Sequence, residues 1–366
     1  MKRAIYSAII GLLLSLALAG CAPAAIPSPA AGQPPGGAQP LHTLVDLQGQ
    51  LSLKREGWRD FAPALFGASL RQGDLLRLEG AGQASVACAD LSLVLVQPGI
   101  GAVPCKAGKP ILTYAGSLVN PTRWDASDEF PMIISPRKTR LLNPRPTLRW
   151  SAPAGAQDYK VTVHGAGLTW STTVKSANEV AYPADAPALA AGASYKLTVT
   201  AGERSSDEEA SPGLGFTMLS AEEARAVRDA EAKIHGMNLP AASAQFLLAN
   251  LYASYDLNAE AIELLEALAQ SASEPAIPRA LGDLYLKVGL NRLAEARYLA
   301  GLRLAQRAGD IEGQAWMQSR LGLIYQALSL PADARQRIQN ALELYQKLGE
   351  AETVRELQGR LDSLKP

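Results

Sequence analysis

From Leu248 onward one short pattern returns three times, and it restricts this 366-residue chain more tightly than any other feature. Leu248, Ala249 and Tyr252 are followed by Ala261, Leu265 and Leu268. Leu281, Gly282 and Tyr285 are followed by Ala294, Tyr298 and Gly301, and Leu321, Gly322 and Tyr325 by Ala334, Ile338 and Ala341. Steps of three and four place each set on one face of a helix. The small residues let two helices approach, and the Tyr and other bulky residues fill the space between them. The first offset is 33 residues (281 minus 248) and the second is 40 (321 minus 281), with the second helix of the middle unit extended through 303–309. One such helix pair cannot bury its apolar face alone, and about three are needed for a stable stack. Ser220 and Glu223 have capping-box spacing, so a helix should open there and run to about Gly236. The stretch 351–364 reads as a last capping helix with Glu352, Arg355, Glu356 and Arg360 outward.

The order Leu-small-x-x-Tyr, then Ala-x-x-x-bulky-x-x-small, resembles the tetratricopeptide (TPR) repeat, with Leu268 departing from it at the last small position of the first unit. The resemblance implies an α-solenoid over residues 220–366, whose first helices line a concave groove for protein partners. The groove positions of that family fall on Phe246, Asn250, Arg279, Asp283, Trp316, Ser319 and Leu323. Phe246 and Trp316 are either peptide anchors there or packing between neighbouring helices. Arg279 with Asn250 is too small a set for the carboxylate clamp of that family.

The start of the chain sets an address. Met1-Lys2-Arg3, an apolar run to Ala19 and small residues before Cys21 describe an export signal over residues 1–20. The ending Leu18-Ala19-Gly20-Cys21 resembles the lipobox of bacterial lipoproteins. It implies cleavage before Cys21, acylation of that residue and a location in the cell envelope, facing the periplasm or the exterior. Ala22 after the cysteine resembles outer-membrane sorting in two-membrane cells. An ordinary secreted protein is the alternative. Residues 21–40 are almost wholly Ala, Pro, Gly, Ser and Gln and read as a semi-extended tether.

Between tether and repeats the pattern is β. Short alternating runs punctuated by glycine fill residues 41–117. Gly67-Ala68-Ser69-Leu70-Arg71-Gln72-Gly73-Asp74, followed by Ala84-Ser85-Val86, resembles the FecR-type envelope domain, although Ala89-Asp90-Leu91-Ser92 lacks the final turn glycine. Asp74 is then a turn residue, with a ligand role as the alternative. Cys88 and Cys105 bracket 91–96 and 100–103, which read as strand–turn–strand stapled by a disulfide, or else as two free thiols. Residues 130–219 carry proline-bounded strands, and Leu189–Tyr195 has the Leu-x-x-Gly-x-x-Tyr spacing of a tyrosine corner. With Pro146–Trp150 upstream this segment resembles a fibronectin type III-like sandwich, which makes Trp150 a core residue. The fold class expected is therefore multidomain, β then α.

Lys and Arg number 35, Asp and Glu also 35, so charge gives no case for nucleic acid. The run Arg137, Lys138, Arg140, Arg145 and Arg149 reads as a solvated face, or as a contact for anionic lipid or polysaccharide. Asp207-Glu208-Glu209 reads as a solvated loop tip. No His-Glu-x-x-His, Gly-x-Ser-x-Gly or phosphate-loop pattern is present. The residues predict no catalytic centre, metal site or cofactor. The expectation is a non-catalytic, lipid-anchored envelope scaffold acting through its repeats. A FecR-type sensor or a carbohydrate- or peptidoglycan-contacting module is the alternative.

Overall fold

A computed structural model describes residues 39–106, 108–114, 129–209 and 214–364. The leader, Cys21 and the tether up to residue 38 lie outside the described residues. Residues 42–102 form two antiparallel four-stranded sheets, together called the β unit below. One sheet runs Ser69–Leu70, His42–Gln48, Gln83–Ala87, Leu93–Leu95; the other runs Ala62–Pro63, Leu51–Lys54, Leu75–Leu78, Gly99–Ala102. Alternation decides the inner face: Leu51 and Leu53 point inward opposite Leu78 and Leu76, all four buried. The strands Leu93–Leu95 and Gly99–Ala102 do not form the hairpin expected of them. Gln97-Pro98 carries the chain from the edge of one sheet to the edge of the other. Cys88 and Cys105 are buried and joined by a disulfide, Cα atoms 5.5 Å apart.

The second β region is a sandwich. Ile133–Ser135, Thr147–Trp150 and Glu179–Ala181 make one sheet. Thr139–Leu141, Phe216–Met218, Ser194–Ala201, Asp158–Gly165 and Leu168–Lys175 make the other, its first pair parallel. Trp150, Tyr159, Val161, Val163 and Val199 fill the space between. At the turn before Ser194–Ala201 the Tyr195 hydroxyl accepts the Ala190 N–H at 2.8 Å.

Eight described helices follow: α1 Ala221–His235, α2 Ala241–Ser254, α3 Asn258–Leu268, α4 Ala276–Lys287, α5 Asn291–Ala308, α6 Ile311–Ala327, α7 Pro331–Leu348 and α8 Ala351–Ser363. Ser220 and Glu223 cap α1 reciprocally, and left-handed Gly309 and Gly349 stop α5 and α7. The pairs are α2–α3, α4–α5 and α6–α7. The recurring small residue explains how close they pack: a Cβ on Gly282 would lie 2.7 Å from the Tyr298 ring, and one on Gly322 would lie 2.7 Å from Ile338. Each recurring Tyr reaches back one layer. Tyr252 donates to Glu231 on α1 at 2.6 Å, Tyr285 to Glu266 on α3, and Tyr325 to Glu295 on α5 at 2.7 Å. Burial, reinforced by the carboxylate, raises all three phenols, Tyr325 to about 12.

The described residues pack as one compact unit. Leu53, Trp58 and Leu76 of the β unit share a core with Ala315, Ile338, Tyr345 and Leu357 of α6, α7 and α8. Leu41, Val45 and Leu112 share another with Ile234, Leu247 and Leu251 of α1 and α2. The basic run is neither a solvated face nor a free patch. Arg137 is wholly buried, bonded to both oxygens of Glu209 (2.7 and 2.5 Å) and donating to Val288 O, where α4 ends. Glu209 is therefore an interior partner and not a loop-tip charge. Arg140 pairs with Glu223, Arg149 with Glu266 at 2.8 Å, and Arg145 donates to the carbonyls of Pro183 and Ala186. Three of these arginines fasten the sandwich to the helices. No described helix is long and apolar enough to cross a membrane.

Candidate functional site

The seven groove positions sit on three first helices: Phe246 and Asn250 on α2, Arg279 and Asp283 on α4, and Trp316, Ser319 and Leu323 on α6. Helical spacing turns each group to one side. All seven line one cleft, whose opposite wall is Gly67 and Ser69 of the β unit with Leu41 and Thr113 beside them. Its inner chamber, about 260 Å³, has a mainly apolar floor that includes Phe246, Ala249, Ala253, Ala280 and Leu284. An outer chamber of about 310 Å³ continues past Arg279, Asp283 and Trp316 to Ser319 and Leu323, and reaches Glu350 and Glu356.

The β unit reaches this wall through one glycine. Gly67 has φ +77°, and a Cβ on it would run into Ala276 and the Phe246 ring. Only glycine lets the loop sit down at this point. Phe66 beside it packs on Phe246 with ring centroids 5.2 Å apart. Phe246 is accordingly 3% exposed and Leu323 is also buried, so neither is an open anchor. Ser243 donates to Val45 O at 2.5 Å and Arg279 to Gly67 O at 3.4 Å. Thus the face that the repeat pattern assigns to a partner is partly covered by the chain itself.

What stays accessible is held rigid. Trp316 donates to Asp283 Oδ1 at 3.1 Å, and the Tyr298 hydroxyl donates to the same oxygen at 2.6 Å. The Arg320 guanidinium lies 4.1 Å from the centre of the Trp316 ring. Ser319 donates to Trp316 O at 2.7 Å, and Asn250 lines the inner chamber. The Asp310 side chain, which caps α6 at Gly313, is pushed up by burial while Arg279 pulls it down.

At the outer end a charged triad was not legible in the sequence. Arg55 pairs with Asp74 at 2.7 Å and with Glu312 of α6 at 2.6 Å, and also donates to Ser69 O at 2.9 Å. Asp74 accepts the Arg71 N–H at 2.8 Å and is only 3% exposed. Burial pushes its carboxyl up, against Arg55, so it serves the turn and the interface and not as an open ligand. Trp58 donates to Glu350 at 2.8 Å, and Arg59 N–H to Leu348 O at 3.0 Å. Glu312, Leu348 and Glu350 lie more than half the chain from Arg55, Arg59 and Trp58 in sequence, which no local pattern signals.

Among the described residues, one group has metal-ligand residue types: His42, Cys88 and Cys105, their ligand atoms within 4.8 Å of one another. The two sulfurs are bonded to each other, and His42 Nδ1 accepts the Ala89 N–H at 3.0 Å. Burial lowers the His42 pKa, and the ring packs beside the disulfide.

No protein-family model matches the sequence, and no curated protein matches it. Solved structures do. The chain is similar to BtubC (BKLC) from P. vanneervenii, at 18% identity over 39% of this chain and 72% of that one, TM-score 0.26. It is similar also to two structures of a Podosopora anserina kinesin light chain with nearly identical TPR-like repeats. Both are 17% identical over 39% of this chain and about nine-tenths of theirs, TM-score 0.28. The helix pairing described above rests on the packing of this chain itself.

Chemically the cleft offers an apolar floor, an indole whose N–H is already engaged, and a carboxylate fixed by two donors.

Proposed function

We propose that this chain is a non-catalytic, lipid-anchored envelope protein that holds a protein partner in the cleft between its helical repeats and its β unit. One observation carries the reading: groove positions from the first helices of three successive pairs meet on a single cleft, which the β unit narrows to a slot. A slot favours an extended segment of a partner over a folded surface. The anchor rests on Leu18-Ala19-Gly20-Cys21, and the β unit and sandwich act as FecR-like and fibronectin III-like modules that frame the repeats.

Removing the helices would strip the β unit of Ala315, Ile338 and Tyr345, so a truncation cannot locate the site. Filling the chamber can. In the full chain, Ala253→Trp and Ala280→Trp should each abolish capture of the partner from envelope extract while leaving thermal stability near wild type. Unchanged capture by both variants would move the site elsewhere. For the anchor, cells fed labelled palmitate should label the wild-type protein, and Cys21→Ser should remain unlabelled; equal labelling of both would sink it.

A further inference from the structure

The inner chamber of the cleft is made by two departures from the repeat. Offsets of 33 and 40 residues align Leu247 with Ala280 and Arg320, and likewise Ala253 with Leu286 and Gln326. Neither is the recurring small position, which Ala249, Gly282 and Gly322 occupy. Ala280 and Ala253 are thus short where the other layers carry long side chains, and both line the chamber half-buried. Ala249 and Ala253 stand one turn apart on α2, as Ala280 and Leu284 do on α4. The rings of Phe246 and Trp316 add to the lining.

Size and charge define what fits. The chamber holds about 260 Å³, whereas an apolar cavity of about 150 Å³ is enough for a benzene ring. Five ionisable residues line it, and each is already engaged. Asp256 pairs with Lys287 at 2.6 Å, and Asp283 accepts the Trp316 and Tyr298 donors. Arg279 donates to Gly67 O, and Arg320 lies over the Trp316 ring. A charged group brought in would lose water and find no partner, a cost that an apolar ring escapes. Resting on the cleft reading above, we infer that the inner chamber receives one uncharged aromatic side chain from an extended segment of a partner protein. Aromatic side chains seated in such pockets carry a large share of interface energy. A second copy of this chain does not supply one: among the described side chains no Phe, Tyr or Trp is exposed. The five large apolar side chains that are exposed are four leucines and one isoleucine.

In the full chain in detergent, NMR signals of labelled alanine methyl groups report on Ala253 and Ala280 directly. The probes are end-blocked Ser-Thr-Phe-Thr-Ser and the same peptide with Leu or Lys at its centre. The Phe peptide should shift both methyl signals saturably, the Leu peptide should bind several-fold more weakly, and the Lys peptide should leave them in place. Ala280→Leu and Ala253→Leu restore the long side chain of a neighbouring layer, so each should fold as wild type and lose the Phe peptide. Methyl signals that ignore the Phe peptide, equal binding of the Leu or Lys peptide, or wild-type binding by both variants would overturn the assignment. So would shifts that grow with protein concentration alone, because a second copy would then fill the chamber. If Ala253→Trp and Ala280→Trp abolish capture of the partner while the Phe peptide moves nothing, the aromatic anchor falls and the cleft reading stands. Unchanged capture as well would remove both.

Discussion

Arg140 and Glu223 show at the level of single residues how the basic run is used. The Glu223 carboxylate is held down to about 2 from an ordinary 4.5, first by Arg140 and then by Ser220, whose hydroxyl and N–H it also receives. A carboxylate depressed by folding contributes stability that is complete above its unfolded value near 4.5 and is lost as pH falls toward 2. The side chain is 41% exposed, so solvent screens the pair and the contribution is small. The expected outcome in an NMR titration is a Glu223 carboxyl carbon that titrates near 2 and moves toward 4.5 in Arg140→Ala. A midpoint unchanged by the substitution would leave the cap alone as the cause. Neither Arg140 nor Arg137 could be assigned from sequence, because Glu223 and Glu209 stand some seventy residues or more downstream. A run of arginines looks alike whether its partners are water, lipid or buried acids.

Elements were more legible than residues. The helices follow from i, i+3 and i+4 periodicity and from the Ser220 cap, both local signals, and the pairing follows from which position is small. Gly282 is the sharpest case, since its face meets the ring of Tyr298, itself fully buried. Gly282→Val should destabilise the full chain by about 1–3 kcal/mol through overpacking. Urea unfolding reads this directly, and a midpoint within error of wild type would mean that α4 and α5 pack more loosely than described. Strands were located well, but not the sheet each one joins. Leu93–Leu95 and Gly99–Ala102 carry alternation that suits a hairpin, and alternation is silent about the partner. Corners such as Gln97-Pro98 decide that, through backbone directions with many sequence solutions. The cleft was half legible for the same reason: its floor lies on periodic helices, and its roof arrives from a distant loop.

The whole molecule departs most from the sequence reading, which treats the β unit, sandwich and repeats as separate modules. The β unit and the repeats share a core, with Trp58 and Leu76 packed among Ile338, Tyr345 and Leu357. The sandwich keeps its own core and is fastened to the helices by Arg137, Arg140 and Arg149. Thermal unfolding followed by indole fluorescence and by far-ultraviolet circular dichroism should therefore coincide in one transition. Two resolved transitions would restore the modular picture. Trp58 bonded to Glu350 also joins the first β strands to the last turn before α8. Ribosomes deliver a chain in order, and the strands around Trp58 wait for helices made much later. Until residue 357 has emerged, the β unit exposes the apolar side chains that Leu357 and Tyr345 will cover. The apolar side of the β unit is therefore the surface that a nascent chain would have to keep from other chains until α7 and α8 fold onto it.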